Sequence, residues 1–236
     1  MRFVVAGSSI RGPAHVDEGL PNQDSILLRG HRGGWIAAVC DGLGSCKHSH
    51  IGSSAACEAL RYVLSTASAS ASASSAALVS EGLHQQWLRK IRPHPVKEVA
   101  TTCLWGAVDD EGRLRTGQIG DGLVLYRSAG RLFRLTPERV GYGNQTLALW
   151  DDHKQQHWTH DEQVLSQPGD GILLMTDGVS EDLIPDMLPS FFDAVYQNIA
   201  RRGRRSGRKW LNNELKNWST PMHGDDKSIV AIFRLE

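Results

Sequence analysis

The sequence predicts an α+β fold: two packed antiparallel β-sheets flanked by pairs of helices, an α-β-β-α sandwich formed by residues 1–236 as one domain. Three observations lead there. Strand-like and helical segments come in blocks, in the order strands, two helices, strands, two helices, strand, and two sheets with helices outside satisfy that order. The middle block is a series of short apolar runs separated by DDEG, GDG and SAG, which are turn sequences. No break in composition marks a linker.

The elements follow in order. Residues 2–9 alternate weakly, and residues 25–29 (SILLR) make a second strand. Residues 34–40 (GWIAAVC) form a buried strand that ends at an Asp-Gly turn. Residues 51–64 carry apolar side chains at helical spacing, and residues 77–91 form a second helix that turns Leu83, Trp87 and Leu88 inward. The Ser/Ala run 65–76 connects the two. TTCLWGAV, RLRTGQI, LVLYR and RLFRL then read as an antiparallel meander. Residues 137–160 are polar and irregular apart from the short run 147–150. A strand resumes at 161–166, QPGD turns, and GILLMTDG is a second buried strand ending at Asp-Gly. Residues 186–200 and 207–218 are helical, joined by the basic run 201–209, which reads as a solvated junction. KSIVAIFRL closes the chain as a last strand. Trp35 and Trp105 fall in strands and are core; Trp150 ends the irregular stretch and is a candidate substrate contact.

Composition excludes several classes. Lys plus Arg and Asp plus Glu number 26 each, so the formal net charge is zero and nothing favours nucleic acid or an anionic membrane as partner. No run approaches the roughly 18 apolar residues of a membrane span. The N-terminal apolar run is shorter than the roughly 7–15 residues of a signal-peptide core. The expectation is a cytoplasmic monomer. Its four cysteines, Cys40, Cys46, Cys57 and Cys103, are then reduced thiols. Cys46 with His48 and His50 resembles half of a zinc corner, but no second ligand pair has the usual spacing.

Candidate chemistry lies in the aspartates. NQDS (Asp24), VCDGLGS (Asp41), LMTDGVS (Asp177) and GDDKS (Asp225, Asp226) each put a carboxylate at the end of a strand-like run. Strand ends can present side chains to a common cleft. A carboxylate directly after a buried strand is costly to desolvate unless it is paired or bound to a cation. Few basic residues flank these segments, and converging carboxylates suit hard divalent cations such as Mg²⁺ or Mn²⁺.

These segments, with GSSIRGPAHVDEGLPNQDS, TTCLWGAV and GQIGDGLVLY between and before them, resemble the metal-dependent (PPM, type 2C) serine/threonine phosphatases, in the family's order across nearly the whole chain. The opening segment most resembles a compact bacterial-type branch. The resemblance implies a pair of antiparallel sheets flanked by helices, two Mn²⁺ or Mg²⁺ ions, and hydrolysis of phosphoserine or phosphothreonine by a water that the ions activate. Asp41 would bridge the ions, the Gly42 carbonyl would bind one, and Asp177 and Asp226 would hold the other. Asp24 matches the first acidic motif. Asp121 matches the aspartate linked to a third, weaker ion. Asp225 would be a neighbour. A phosphoprotein substrate and a cognate serine/threonine kinase are the implied partners.

Three departures stand out. The position of the family's phosphate-binding arginine is Gly19, so Arg11 and His15 become the candidate phosphate contacts. Gln23 replaces a glutamate before Asp24, and Leu43 stands where some relatives have a general-acid histidine. The rival reading is a catalytically inactive relative that binds a phosphoprotein or kinase. Thr101 and Thr102 match a family motif, and backbone hydrogen bonding is the preferred role for them.

Overall fold

The computed structural model describes residues 1–66, 75–137, 147–150, 157–218 and 224–236. In chain order its elements are β1 (Phe3–Ile10), α1 (Pro13–Asp17), β2 (Asp24–His31), β3 (Gly34–Asp41), α2 (Ser49–Thr66) and α3 (Ala76–Lys90). There follow β4 (Cys103–Val108), β5 (Arg113–Ile119), β6 (Leu123–Ser128), β7 (Arg131–Arg134), β8 (Thr159–Val164), β9 (Gly171–Met175), α4 (Asp177–Ser180), α5 (Leu188–Lys216) and β10 (Lys227–Arg234). The strands form two five-stranded antiparallel sheets, ordered β1-β10-β9-β6-β7 and β2-β3-β4-β5-β8.

The central strands read as continuous apolar runs because both of their faces are covered. On β10, Ile229, Ala231 and Phe233 pack with Phe192, Ile199 and Leu211 of α5, while Val230 and Ile232 face the other sheet. On β3, Ile36, Ala38 and Cys40 join Leu60, Leu83 and Trp87 of α2 and α3, while Ala37 and Val39 point between the sheets. The sandwich expected from the order of segments is therefore the one observed. Trp105 is fully buried, and its indole N–H donates to Ser80 Oγ at 3.0 Å. Trp35 is half-buried under the Arg204 guanidinium, 4.8 Å from its ring centre.

One expectation is revised. The meander is split between sheets: β4 and β5 belong to one, β6 and β7 to the other. The chain crosses at Gly120-Asp121-Gly122, where both glycines take positive φ (94° and 92°), a conformation that redirects the backbone without a Cβ penalty. The two C-terminal helices meet as expected at a kink within the basic segment, where Gly203 leaves the helical conformation (φ 71°, ψ 176°), and together they make up α5. The short helices α1 and α4 have too few residues to show a period in the sequence. Much of the Ser/Ala connection and of the 137–160 stretch lies outside the described residues, while Ser75 caps α3 by accepting from the Leu78 N–H. Among the described residues no helix is long and apolar enough to cross a membrane.

The layer between the sheets positions every strand end that matters below. Leu174 on β9 is fully buried there. Leu174→Ala should cost about 2–5 kcal/mol of unfolding free energy. Urea denaturation would measure this, and a loss within error of zero would mean the layer is not packed as described.

Candidate metal centre

Strand pairing brings the acidic segments to one end of the sandwich. Asp24 opens β2 and Asp41 closes β3, and the two are cross-strand partners. Asp177 follows β9 and opens α4, and Asp225 and Asp226 immediately precede β10, the neighbour of β9. The two sheets meet at this end through Thr176, whose hydroxyl donates to Asp24 Oδ2 at 2.9 Å and accepts from the Ser228 N–H at 3.0 Å. Thr176 was not singled out from the sequence; its only signal there is its place between a buried strand and Asp177.

Carboxylate oxygens of Asp41, Asp121 and Asp177 lie within 4.8 Å of one another. Burial pushes the Asp41 carboxyl well above the usual carboxylate range, with the charges of Asp24, Asp177, Asp225 and Asp121 adding to it. Asp177 is pushed up to about 6 by burial and by Asp121 and Asp225. Asp24 is pushed up to about 8, chiefly by burial. Its Oδ1 is buried with no hydrogen-bond partner. A group of carboxylates that resist ionising together, with an orphaned buried oxygen beside them, fits hard divalent cations with oxygen ligands.

The loop after β3 is fixed by the two threonines. Thr101 Oγ1 donates to the Asp41 carbonyl at 2.8 Å, and the Asp41 N–H donates to Thr102 Oγ1 at 3.0 Å, so the hydrogen-bonding role expected for this pair holds. Gly42 follows, and its N–H donates to the Gln23 carbonyl at 3.2 Å. Gly178 is required by close approach: a Cβ there would stand 1.9 Å from the Asp226 carbonyl oxygen.

The neighbouring aspartates divide their work in a way that differs from the expectation. Asp226 is buried, and its oxygens take backbone N–H groups, Oδ1 from Gly12 and Oδ2 from Gln23, both at 2.6 Å. His15 Nδ1 stands 3.0 Å from the same Oδ2 as an ion-pair contact, without the alignment of a hydrogen bond. Asp226 thus pins the segment from Gly12 to Gln23. Asp225 is the member of the pair whose charge bears on both Asp41 and Asp177. Its carboxylate also comes within 4.8 Å of ligating atoms of His15 and Asp226.

The substrate side has an observable departure. Gly19 lies in a turn after α1 with φ 70°, a left-handed conformation that strains any other residue. Arg11 donates from Nη1 to the Leu20 carbonyl at 3.0 Å and so braces that same turn. A cavity of about 440 Å³ adjoins Asp225, and Arg11, Lys216, Lys227 and Trp218 are among the residues that line it. Lys227 is buried, and its Nζ donates to the Asp225 carbonyl at 3.0 Å. Trp150, the other substrate candidate, packs beside Cys46 and Ala148, and its carbonyl accepts from His84 Nε2 at 2.7 Å.

Comparison with known proteins agrees with the fold. The family model described as Protein phosphatase 2C matches residues 11–218. A search of curated proteins finds no match. Similar solved structures include the serine/threonine phosphatase PstP of Mycobacterium tuberculosis, with TM-score 0.68, 17% identity and 100% of each chain covered. The photosystem II phosphatase PBCP aligns with TM-score 0.66 and 13% identity over 99% of each chain. RsbX in complex with magnesium aligns with TM-score 0.63 and 15% identity, over 98% of this chain and 94% of that one. At these identities the likeness is one of fold.

The raised carboxyls give a signed prediction. Their stabilising contribution is complete below the ordinary value of 3.8 and is lost as pH rises through about 6 for Asp177 and about 8 for Asp24. Metal-free protein in chelator should therefore melt at progressively lower temperature as pH is raised from about 5 to about 8. Added Mg²⁺ or Mn²⁺ should restore most at the upper end, where the ligands are ionised. Thermal scans with and without the ions check this; a metal-free melting temperature that rises with pH would contradict it.

Proposed function

The chain belongs to the protein phosphatase 2C family, and on that premise we propose that it hydrolyses phosphoserine and phosphothreonine esters in a protein, at a centre holding two Mn²⁺ or Mg²⁺ ions. The observation that carries this reading is the gathering of Asp41, Asp121 and Asp177 within 4.8 Å, with the charge of Asp225 bearing on Asp41. Asp41 would be shared by the two ions, and the Gly42 carbonyl would serve one of them. Asp177 and Asp225 hold the other, so Asp225 takes the place that the sequence assigned to Asp226. Asp121 serves a third, weaker ion. Asp24, cross-strand from Asp41, steadies the centre from beneath through its orphaned oxygen. When bound, the ions supply a water of lowered pKa and neutralise charge on the phosphoryl oxygens.

The chain's own residues do the rest. Asp226, tied to Gly12 and Gln23, holds the N-terminal segment against the centre. The cavity beside Asp225 receives the phosphorylated segment, and Arg11, Lys216 and Lys227 supply the positive charge that Gly19 cannot. No covalent enzyme intermediate is required, and all four cysteines are buried away from this role. Residues 1–236 act as one catalytic domain, monomeric and cytoplasmic, and a serine/threonine kinase supplies the substrate.

Asp41→Ala and Asp177→Ala should each lower Mn²⁺-stimulated phosphopeptide hydrolysis by about two orders of magnitude or more. Full activity in either variant would overturn the site, and no turnover in the unaltered protein at any ion concentration would favour the inactive binder. Asp225→Asn and Asp226→Asn separate the neighbours. The first should lose activity while keeping the stability of the metal-free protein. The second should lose about 1–3 kcal/mol of stability, because an amide cannot accept on both sides and strands a backbone N–H. Turnover by Asp225→Asn at the unaltered rate would return the ligand role to Asp226.

A further inference from the structure

A second gathering of metal-ligating side chains lies beyond the loop that follows Gly42. His48 precedes α2 and His50 sits in its first turn. His94 lies on the turn after α3, and Glu98 ends the short 3₁₀ turn Val96–Glu98. The two regions are clamped together by backbone: the His48 N–H donates to the Glu98 carbonyl at 2.8 Å, and the Leu43 N–H to the Ala100 carbonyl at 3.0 Å. All four side chains are half-buried.

The four side chains converge on one another, and their ligand atoms stand wider apart than they would around a bound ion. The ring centres of His48 and His94 are 5.4 Å apart, and those of His48 and His50 are 6.4 Å apart. Two imidazoles on one tetrahedral zinc ion hold their ring centres roughly 5 Å apart, given zinc–nitrogen bonds of about 2.0–2.1 Å. His48 and His94 already meet that distance. His48 Nε2 and Glu98 Oε2 are 4.0 Å apart, against roughly 3.4 Å for two ligand atoms on such an ion. Ligation by all four requires side-chain rotation of His50 and Glu98 to close the remainder. Burial and the neighbouring rings also hold the His50 imidazole below its ordinary value, which favours the neutral, ligating form.

We propose that His48, His50, His94 and Glu98 form a site for a transition metal ion of the zinc class, separate from the carboxylate centre. The donor chemistry keeps the two apart, since imidazole suits Zn²⁺, Co²⁺ and Ni²⁺ whereas all-oxygen sets suit Mg²⁺ and Mn²⁺. The half corner seen in the sequence at Cys46 is completed differently. The Cys46 thiol is buried and donates to the Lys97 carbonyl at 3.3 Å, and the missing ligands come from His94 and Glu98. An ion here staples the start of α2 to the 94–98 turn and so braces the loop that carries Gly42.

The test is zinc titration of the whole chain against a chromophoric zinc chelator, in millimolar Mg²⁺ to fill the carboxylate centre. One zinc per chain is expected, kept in Asp41→Asn and weakened at least tenfold in both His48→Gln and His94→Gln. Co²⁺ in the same site should give the intense visible bands of four-coordinate cobalt, absent in His94→Gln. His94 lies on a half-exposed turn, so that variant should keep its circular dichroism; His50→Gln is the second probe if it does not. Unchanged zinc affinity in the histidine variants would overturn the proposal. So would loss of zinc in Asp41→Asn, which would assign the ion to the carboxylate centre. Neither result bears on phosphatase activity, so the two readings fail separately.

Discussion

Mutual repulsion among carboxylates confined at one end of the sandwich is the constraint around which this molecule is built. Two unit charges 4.8 Å apart, the upper limit among Asp41, Asp121 and Asp177, oppose each other by roughly 3 kcal/mol at an effective dielectric of 20. Such a grouping persists only on a scaffold that does not yield. Asp41 is held by Thr101 and Thr102, Asp24 by Thr176, and Thr176 in turn by the Ser228 N–H on β10. The two sheets thus meet through hydrogen bonds directly beneath the charges. The apolar layer of Val39, Leu104, Leu174 and Val230 prevents the strand ends from moving apart.

The same economy explains why two adjacent aspartates have opposite tasks. Each oxygen of Asp226 accepts a backbone N–H, so it acts as a latch for residues 12–23. The charge of Asp225 bears on both Asp41 and Asp177. The latched segment includes the tight turn at Gly19, which Arg11 braces. The positive φ at Gly19 favours glycine at that turn, and Arg11, Lys216 and Lys227 line the cavity beside Asp225.

Much of this was legible in the sequence, for local reasons. Apolar runs ending at Asp-Gly announced β3 and β9 and placed Asp41 and Asp177 at strand ends. Helical spacing announced α2 and α3, with Leu83 and Trp87 buried as expected. What escaped was set by long-range pairing. Gly120-Asp121-Gly122 reads as a hairpin turn in one dimension but crosses between sheets, which is what brings Asp121 to the centre. Nothing local distinguishes Asp225 from Asp226; the register of β10 against β1 decides which one faces Gly12. His94 and Glu98 are more than forty residues from His48 and His50, beyond the reach of any spacing rule, and the fold joins them through bonds such as the backbone clamp at Glu98. The short helices α1 and α4 have too few residues to show a period, whereas the break between the two C-terminal helices, at Gly203, falls within the basic junction read from the sequence.

The most direct test is a crystal structure of Mn²⁺-soaked protein, with anomalous scattering to locate the ions. The account predicts two strong manganese peaks, ligated by Asp41, the Gly42 carbonyl, Asp177 and Asp225, with Asp226 still bonded to the N–H groups of Gly12 and Gln23. A manganese ion ligated by Asp226, with those two backbone bonds broken, would contradict it.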